Sequence, residues 1–269
     1  MNRLIEVFKY ILIGIIQGVS EIFPISSSGH LSIAYIFLNI SNQQQLNLTI
    51  FLHFASSLAL CIYFRKIISR MIKGFFQFVF KHNKSFHDDF MLAIYLLIAS
   101  IPAVIVGTLI KPLVEQSLNN ILIICINFSI TGLILLFSSQ IRNNNCKTYT
   151  FKNTIITGVF QCLAMFPGIS RSGITLFGSK VAKLNEEKGK EFTFLLLLPI
   201  SIGSTIMSIF DISKYEINSM QIYLYIISFL ISFVFTLFSL KIFNKITKIK
   251  PYYYSIYLFV LSFIIFCIY

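Results

Sequence analysis

The run from Gln17 to His30 (Gln-Gly-Val-Ser-Glu-Ile-Phe-Pro-Ile-Ser-Ser-Ser-Gly-His) sets a carboxylate, hydroxyls, an imidazole and the helix breakers Pro24 and Gly29 between apolar segments. Of the chain, 56% is hydrophobic and 12% charged; soluble domains carry about 25% charged residues. A polytopic membrane protein follows. In lipid, polar groups survive only where protein buries them or where they line a cavity, because each unsatisfied atom costs several kcal/mol. Ionisable residues at membrane depth are therefore candidates for function. A second such stretch, Phe166-Pro167-Gly168-Ile169-Ser170-Arg171-Ser172-Gly173, lies past the midpoint.

A hydrocarbon core of about 30 Å needs roughly 20 helical residues. Stretches 46–64, 90–110, 121–139, 192–210, 220–240 and 252–269 meet that length. Stretches of about 5–18, 29–40, 153–166 and 173–183 do not, and they flank the two polar runs in pairs. Two re-entrant helix–loop–helix hairpins account for both the short lengths and the Pro/Ser/Gly breaks; two cramped pairs of spans do not. The expected fold is all-α, with six transmembrane helices and two hairpins. The order hairpin, three spans, hairpin, three spans sends the second hairpin in from the opposite face. That is an inverted-topology repeat within one integral membrane domain, 1–269, with halves of about 1–139 and 153–269. Such repeats place a site at mid-membrane between the halves.

The net charge of +12 is read as basic loops on the cytoplasmic leaflet rather than as a nucleic-acid surface. Seventeen of the 22 Lys and Arg fall in 65–89, 140–152, 180–191 and 241–250, against Arg3, Lys9, Lys111 and Lys214 on the N-terminal side. Both termini are then outside, and the first hairpin opens outward. The 5 cysteines are scattered without a C-x-x-C pair, so neither a disulfide framework nor a zinc site is expected. A cleavable signal peptide is not expected at the N-terminus, where Glu21 and Phe23 occupy the would-be cleavage region.

Each polar run ends one short helix and begins another, whose unpaired N–H groups and dipole favour an anion. Ser26, Ser27, Ser28, Ser170, Ser172 and Thr175 add hydroxyls, and Gly29 and Gly173 allow tight backbone. Arg171 supplies the planar fork suited to phosphate oxygens. Glu21 and His30 add groups that exchange protons or bind metal, as a phosphate hydrolase using Mg2+ or Ca2+ requires. Gln17, one turn before Glu21, shares its face. A plainer reading makes Glu21 and Arg171 an ion pair joining the halves and the serines helix caps. His53, alone in its span, is read as a packed or hydrogen-bonded residue, Asn127 as a helix-packing contact, and His82 and His87 as solvated. Ser28-Gly29-His30 and Ser170-Arg171 are similar in part to type-2 phosphatidic acid phosphatase motifs. Phe177 stands where that family has its second histidine, and its Lys…Arg-Pro motif is missing, so that fold is set aside.

Gln17-x-x-x-Glu21 with Pro24-x-Ser26-Ser27-Ser28-Gly29-His30, followed by Phe160-Gln161-Cys162-Leu163-Ala164-Met165-Phe166-Pro167-Gly168-Ile169-Ser170-Arg171-Ser172-Gly173, resembles the undecaprenyl-diphosphatases of the BacA/UppP family. The likeness extends over essentially the whole chain. It implies hydrolysis of undecaprenyl diphosphate to the monophosphate at the outer face of the bacterial inner membrane. It further implies recycling of the carrier lipid for peptidoglycan, a link to bacitracin resistance, and dependence on Mg2+ or Ca2+. The family's Ser, His and Arg fall on Ser27, His30 and Arg171, and its (Glu/Gln)-x-x-x-Glu pattern on Gln17 and Glu21, the implied metal ligands. Ser27 is the first choice of nucleophile and His30 of proton carrier; water, or a phosphohistidine at His30, stays open. The expected partners are a polyprenyl diphosphate and membrane lipid, with no nucleic acid and with a homodimer left open. The rival class is a polyprenyl-phosphate flippase or secondary transporter on the same repeat.

Overall fold

A computed structural model describes residues 3–118, 120–142, 145–212, 218–245 and 250–269. Its described part is built of α-helices in the order α1 (Arg3–Ser20), α2 (Ser27–Phe37), α3 (Asn42–Tyr63), α4 (Arg65–Lys81), α5 (His87–Ser117) and α6 (Ile121–Gln140). There follow α7 (Phe151–Gln161), α8 (Arg171–Val181), α9 (Glu186–Ile212), α10 (Ser219–Lys245) and α11 (Pro251–Ile268). On their described residues, α3, α5, α6, α10 and α11 are long and apolar enough to cross a membrane. Their outward faces carry large apolar side chains at helical spacing, such as Leu97, Ile101 and Ile105 on α5 and Leu230, Val234 and Phe238 on α10. Water would not tolerate such stripes, whereas hydrocarbon does. The molecule is an all-helical polytopic membrane protein.

The expected sixth span, 192–210, lies within α9, which is not among those five. Three of the four short segments are short helices: α2, α7 and α8 have 11 residues each, about 16 Å at 1.5 Å per residue. The first runs longer than its apolar core: α1 has 18 residues, because Arg3 and Glu6 continue the helix into the polar region. The basic segment 65–89, expected as a loop, is mostly helix. α4 packs on α5 through Gly74, whose missing Cβ leaves room for Asp89. Its charges Lys66, Arg70 and Lys73 recur at intervals of three and four, on one flank of the helix. Lys214 and Lys248, two of the charges counted for orientation, lie outside the described residues.

Helix α1 packs along α10 and α7 along α5; α10 also meets α3, and α5 meets α9. Two further pairs pack together, α3 with α9 and α6 with α11. Below the first polar turn an apolar cluster including Ile22, Leu60, Phe64, Phe194, Leu240 and Phe243 fills one end of the bundle. The polar turns lie where α1, α3, α6 and α8 converge.

Candidate functional site

Both polar runs fold as the turn between two helices, and each second helix is capped by a serine. Ser26 Oγ accepts from Gly29 N at 3.3 Å, and Ser170 Oγ accepts from Gly173 N at 3.1 Å. Ser26 holds φ at 71°, a left-handed conformation rare for a residue with a Cβ and typical of sites where strain serves function. The second turn is clamped from α6. Asn127 Nδ2 donates to Pro167 O at 2.7 Å, Thr131 Oγ1 donates to Gly168 O at 3.0 Å, and Thr131 Oγ1 accepts from Ser170 N at 3.1 Å. Asn127 therefore satisfies loop backbone that has no helical partner.

The two turns meet. Ser172 Oγ donates to Phe23 O at 3.3 Å. Gly29 lies so close to the other turn that a Cβ there would stand 2.8 Å from Gly168 Cα and 2.6 Å from Phe128 Cε1. Gly168, at φ 94°, has the left-handed backbone glycine favours, and its own Cβ would stand 2.7 Å from Ile124 O. Gly29→Ala is expected to cost about 1–3 kcal/mol through overpacking. It should lower the apparent Tm of the detergent-solubilised protein by several degrees; an unchanged Tm would show that the turns are not held in contact.

Their junction encloses a cavity of about 90 Å³. The first turn region contributes Glu21, Ser26, Ser27 and Ser28, the second Ser170, Arg171 and Ser172, and α3 contributes His53. Glu21 is only 7% exposed. Its Oε2 accepts a short hydrogen bond from Ser27 Oγ and one of 3.1 Å from Gln17 Nε2, and it lies 3.6 Å from His53 Nδ1. Arg171 is the first residue of α8, and its Nη1 donates to Ser201 Oγ at 3.4 Å. No ion pair joins Glu21 to Arg171 among the described residues; carboxylate and guanidinium face a common space instead. Arg171, the α8 N-terminus and the serine hydroxyls make that space suited to an anion with several oxygens.

Other expected residues stand behind the cavity. Gly29 and Gly173 form the turn junction and the cap, and Thr175 Oγ1 donates back to Arg171 O at 2.8 Å within α8. The His30 ring is turned to α11: Nδ1 pairs with Ser26 O at 2.8 Å and Nε2 with Tyr257 Oη at 2.7 Å, with the two rings stacked. His53 is the imidazole that lines the cavity. A lone histidine in an apolar helix carries no periodic signal, and only the packing of α3 beside α1 brings it to Glu21.

A divalent cation finds suitable donors here. Gln17 is fully buried, and its Oε1 has no hydrogen-bond partner; a buried orphan acceptor beside a carboxylate suits a hard cation. An apolar cavity of about 460 Å³, lined by Val106 and Ile110 of α5, Ile130 and Ile134 of α6, and Leu163, adjoins the polar one at Ile169.

Comparison with known proteins agrees over the same span. The chain is 39% identical to an undecaprenyl-diphosphatase of Acholeplasma laidlawii, covering 93% of this chain and 92% of that one. It is 36% identical to an undecaprenyl-diphosphatase of Thermosipho melanesiensis, covering 95% and 98%, and 34% identical to undecaprenyl-diphosphatase 2 of Bacillus thuringiensis, covering 96% of each. The profile of bacitracin resistance protein BacA matches residues 10–264, from the middle of α1 almost to the end of α11 and across both turns; the chain belongs to the BacA family.

Proposed function

We propose that the protein is an undecaprenyl-diphosphatase, which hydrolyses the carrier lipid diphosphate to the monophosphate and inorganic phosphate in the bacterial inner membrane. The observation that carries this reading is the shared cavity, where the Glu21–Ser27 pair of one hairpin faces Arg171 of the other. Relatives matched over more than nine tenths of both chains carry that name.

The terminal phosphate lies against Arg171 and the N–H groups that start α8, which stabilise charge as the P–O bond breaks. Ser27 attacks phosphorus and its proton passes to Glu21, which already accepts its hydrogen bond. The lipid monophosphate leaves, and water then releases phosphate from Ser27. Direct attack by water on the diphosphate uses the same base. His30, where its ring stands, holds the Ser26 carbonyl and so the strained cap of α2; proton transfer by His30 would require the ring to leave Tyr257. A divalent cation, when bound, would neutralise diphosphate charge, and Glu21 with the Gln17 amide oxygen would hold it. The polyprenyl tail lies in the aliphatic cavity between α5 and α6, which the phosphate cavity joins at Ile169.

Six spans with two re-entrant hairpins in an inverted repeat remain the architecture we favour. Its support is the paired packing: α1 on α10 matches α7 on α5, α3 on α10 matches α9 on α5, and α3–α9 and α6–α11 map onto themselves. The serine caps at 26 and 170 and the next helix starts at 42 and 186 are equally spaced along the chain. Basic 65–89 and 180–191 then face the cytoplasm, and the termini and the first hairpin the outside. Purified protein given a polyprenyl diphosphate is expected to release phosphate, with release suppressed by chelator and restored by Mg2+ or Ca2+. Absence of release from monodisperse protein with either metal supplied would overturn the reading.

A further inference from the structure

The hydrogen bonds around Gln17 leave one buried acceptor unsatisfied. Its Nε2 lies 3.1 Å from Glu21 Oε2, 3.2 Å from Ser56 Oγ and 3.4 Å from His53 Nδ1. An amide nitrogen has two hydrogens for those three neighbours, while Oε1 has none at all. His53 Nδ1 is in a similar conflict. Toward Glu21 Oε2, at 3.6 Å, it should carry a proton; toward the Gln17 N–H it should present a lone pair. Half a turn of the Gln17 amide sets Oε1 among these groups. Three donors, a carboxylate oxygen, an amide oxygen and an imidazole nitrogen, then surround one point with no hydrogen between them.

The spacing suits a cation. Bonds of about 2.1 Å put neighbouring donors roughly 3.0 Å apart in an octahedron, and the 2.3–2.6 Å bonds of Ca2+ put them roughly 3.3–3.7 Å apart. The three sides here are 3.1, 3.4 and 3.6 Å. Among the described residues there is no metal-ready group of three or more His, Cys, Asp or Glu; this set has two such side chains, with Gln17 as the third donor.

We propose that His53 is a nitrogen ligand of the divalent cation, alongside Glu21 and Gln17. This rests on the cation-dependent phosphatase reading above. The test uses the metal-stripped full chain in detergent and Mn2+ alone, followed by continuous-wave EPR for affinity and pulsed EPR for directly bound nitrogen. One tight Mn2+ per chain with nitrogen coupling is expected. In His53→Ala the coupling should vanish and affinity fall by at least roughly 10-fold. His53→Gln, closer in volume, should also lose the coupling and serves where the alanine variant is unstable. Bound Mn2+ without nitrogen coupling, coupling that survives both His53 substitutions, or no Mn2+ binding overturns the ligand assignment. Phosphate release by the same preparation separates the two readings. Release without nitrogen-bound Mn2+ overturns only the ligand assignment, and nitrogen-bound Mn2+ without release only the phosphatase.

Discussion

Arg171→Ala is expected to lower kcat/KM for a polyprenyl diphosphate by about 10³-fold or more, the range over which a guanidinium at a transferring phosphoryl group acts. The side chain has little structural work to lose. It makes no ion pair with Glu21 among the described residues, and its hydrogen bond to Ser201 Oγ is 3.4 Å long. A cation at the first position of α8 is opposed by the helix dipole, so its placement costs stability that an anion in the cavity returns. Arg171→Ala should therefore remain folded, with a Tm near that of the parent protein, while phosphate release is lost. Arg171→Lys keeps the charge without the fork and should fall between the two. Wild-type-like release by a monodisperse Arg171→Ala protein would remove Arg171 from the site.

How much of this was legible beforehand depends on range along the chain. Both turns are local: Pro24 and Pro167 stop a helix, Ser26 and Ser170 cap the next, and the cap sits three residues before a glycine whose N–H it accepts. Those signals need no tertiary information, and they lead to the anion cavity. His53 is different. Its contact with Glu21 depends on α3 packing beside α1, and nothing in Phe51-Leu52-His53-Phe54 distinguishes a cavity histidine from a packed one. The reverse happened at His30, where motif spacing suggests the site but stacking on Tyr257 of α11, far along the chain, turns the ring away. Asn127 reads from sequence only as a helix-packing contact, because the backbone it satisfies, Pro167 O, belongs to another helix pair. In α4, charge density masked an amphipathic helix, since loops and interfacial helices are both rich in Lys and Arg.

Glu21→Gln is expected to reduce turnover by about 10²–10⁴-fold, the usual contribution of a positioned general base. The substitution is nearly isosteric, and an amide oxygen can still accept from Gln17 Nε2 and Ser27 Oγ, so the buried network survives and the Tm should shift little. What the amide cannot do is take the Ser27 proton or lend negative charge to a cation. Glu21→Ala goes further, leaving Gln17 and His53 facing an emptied, buried space, and should lose stability as well as activity. The isosteric variant therefore carries the test: near-normal release by Glu21→Gln would exclude Glu21 as base. Ser27→Ala then divides the two attacks. A phosphoenzyme trapped in the parent protein and absent from Ser27→Ala, with activity lost, places the nucleophile at Ser27 Oγ. Near-normal turnover by Ser27→Ala makes water the nucleophile, with Glu21 activating it directly. Either outcome leaves Glu21 as the base, because both routes begin with a proton leaving an oxygen in the cavity where the two turns meet.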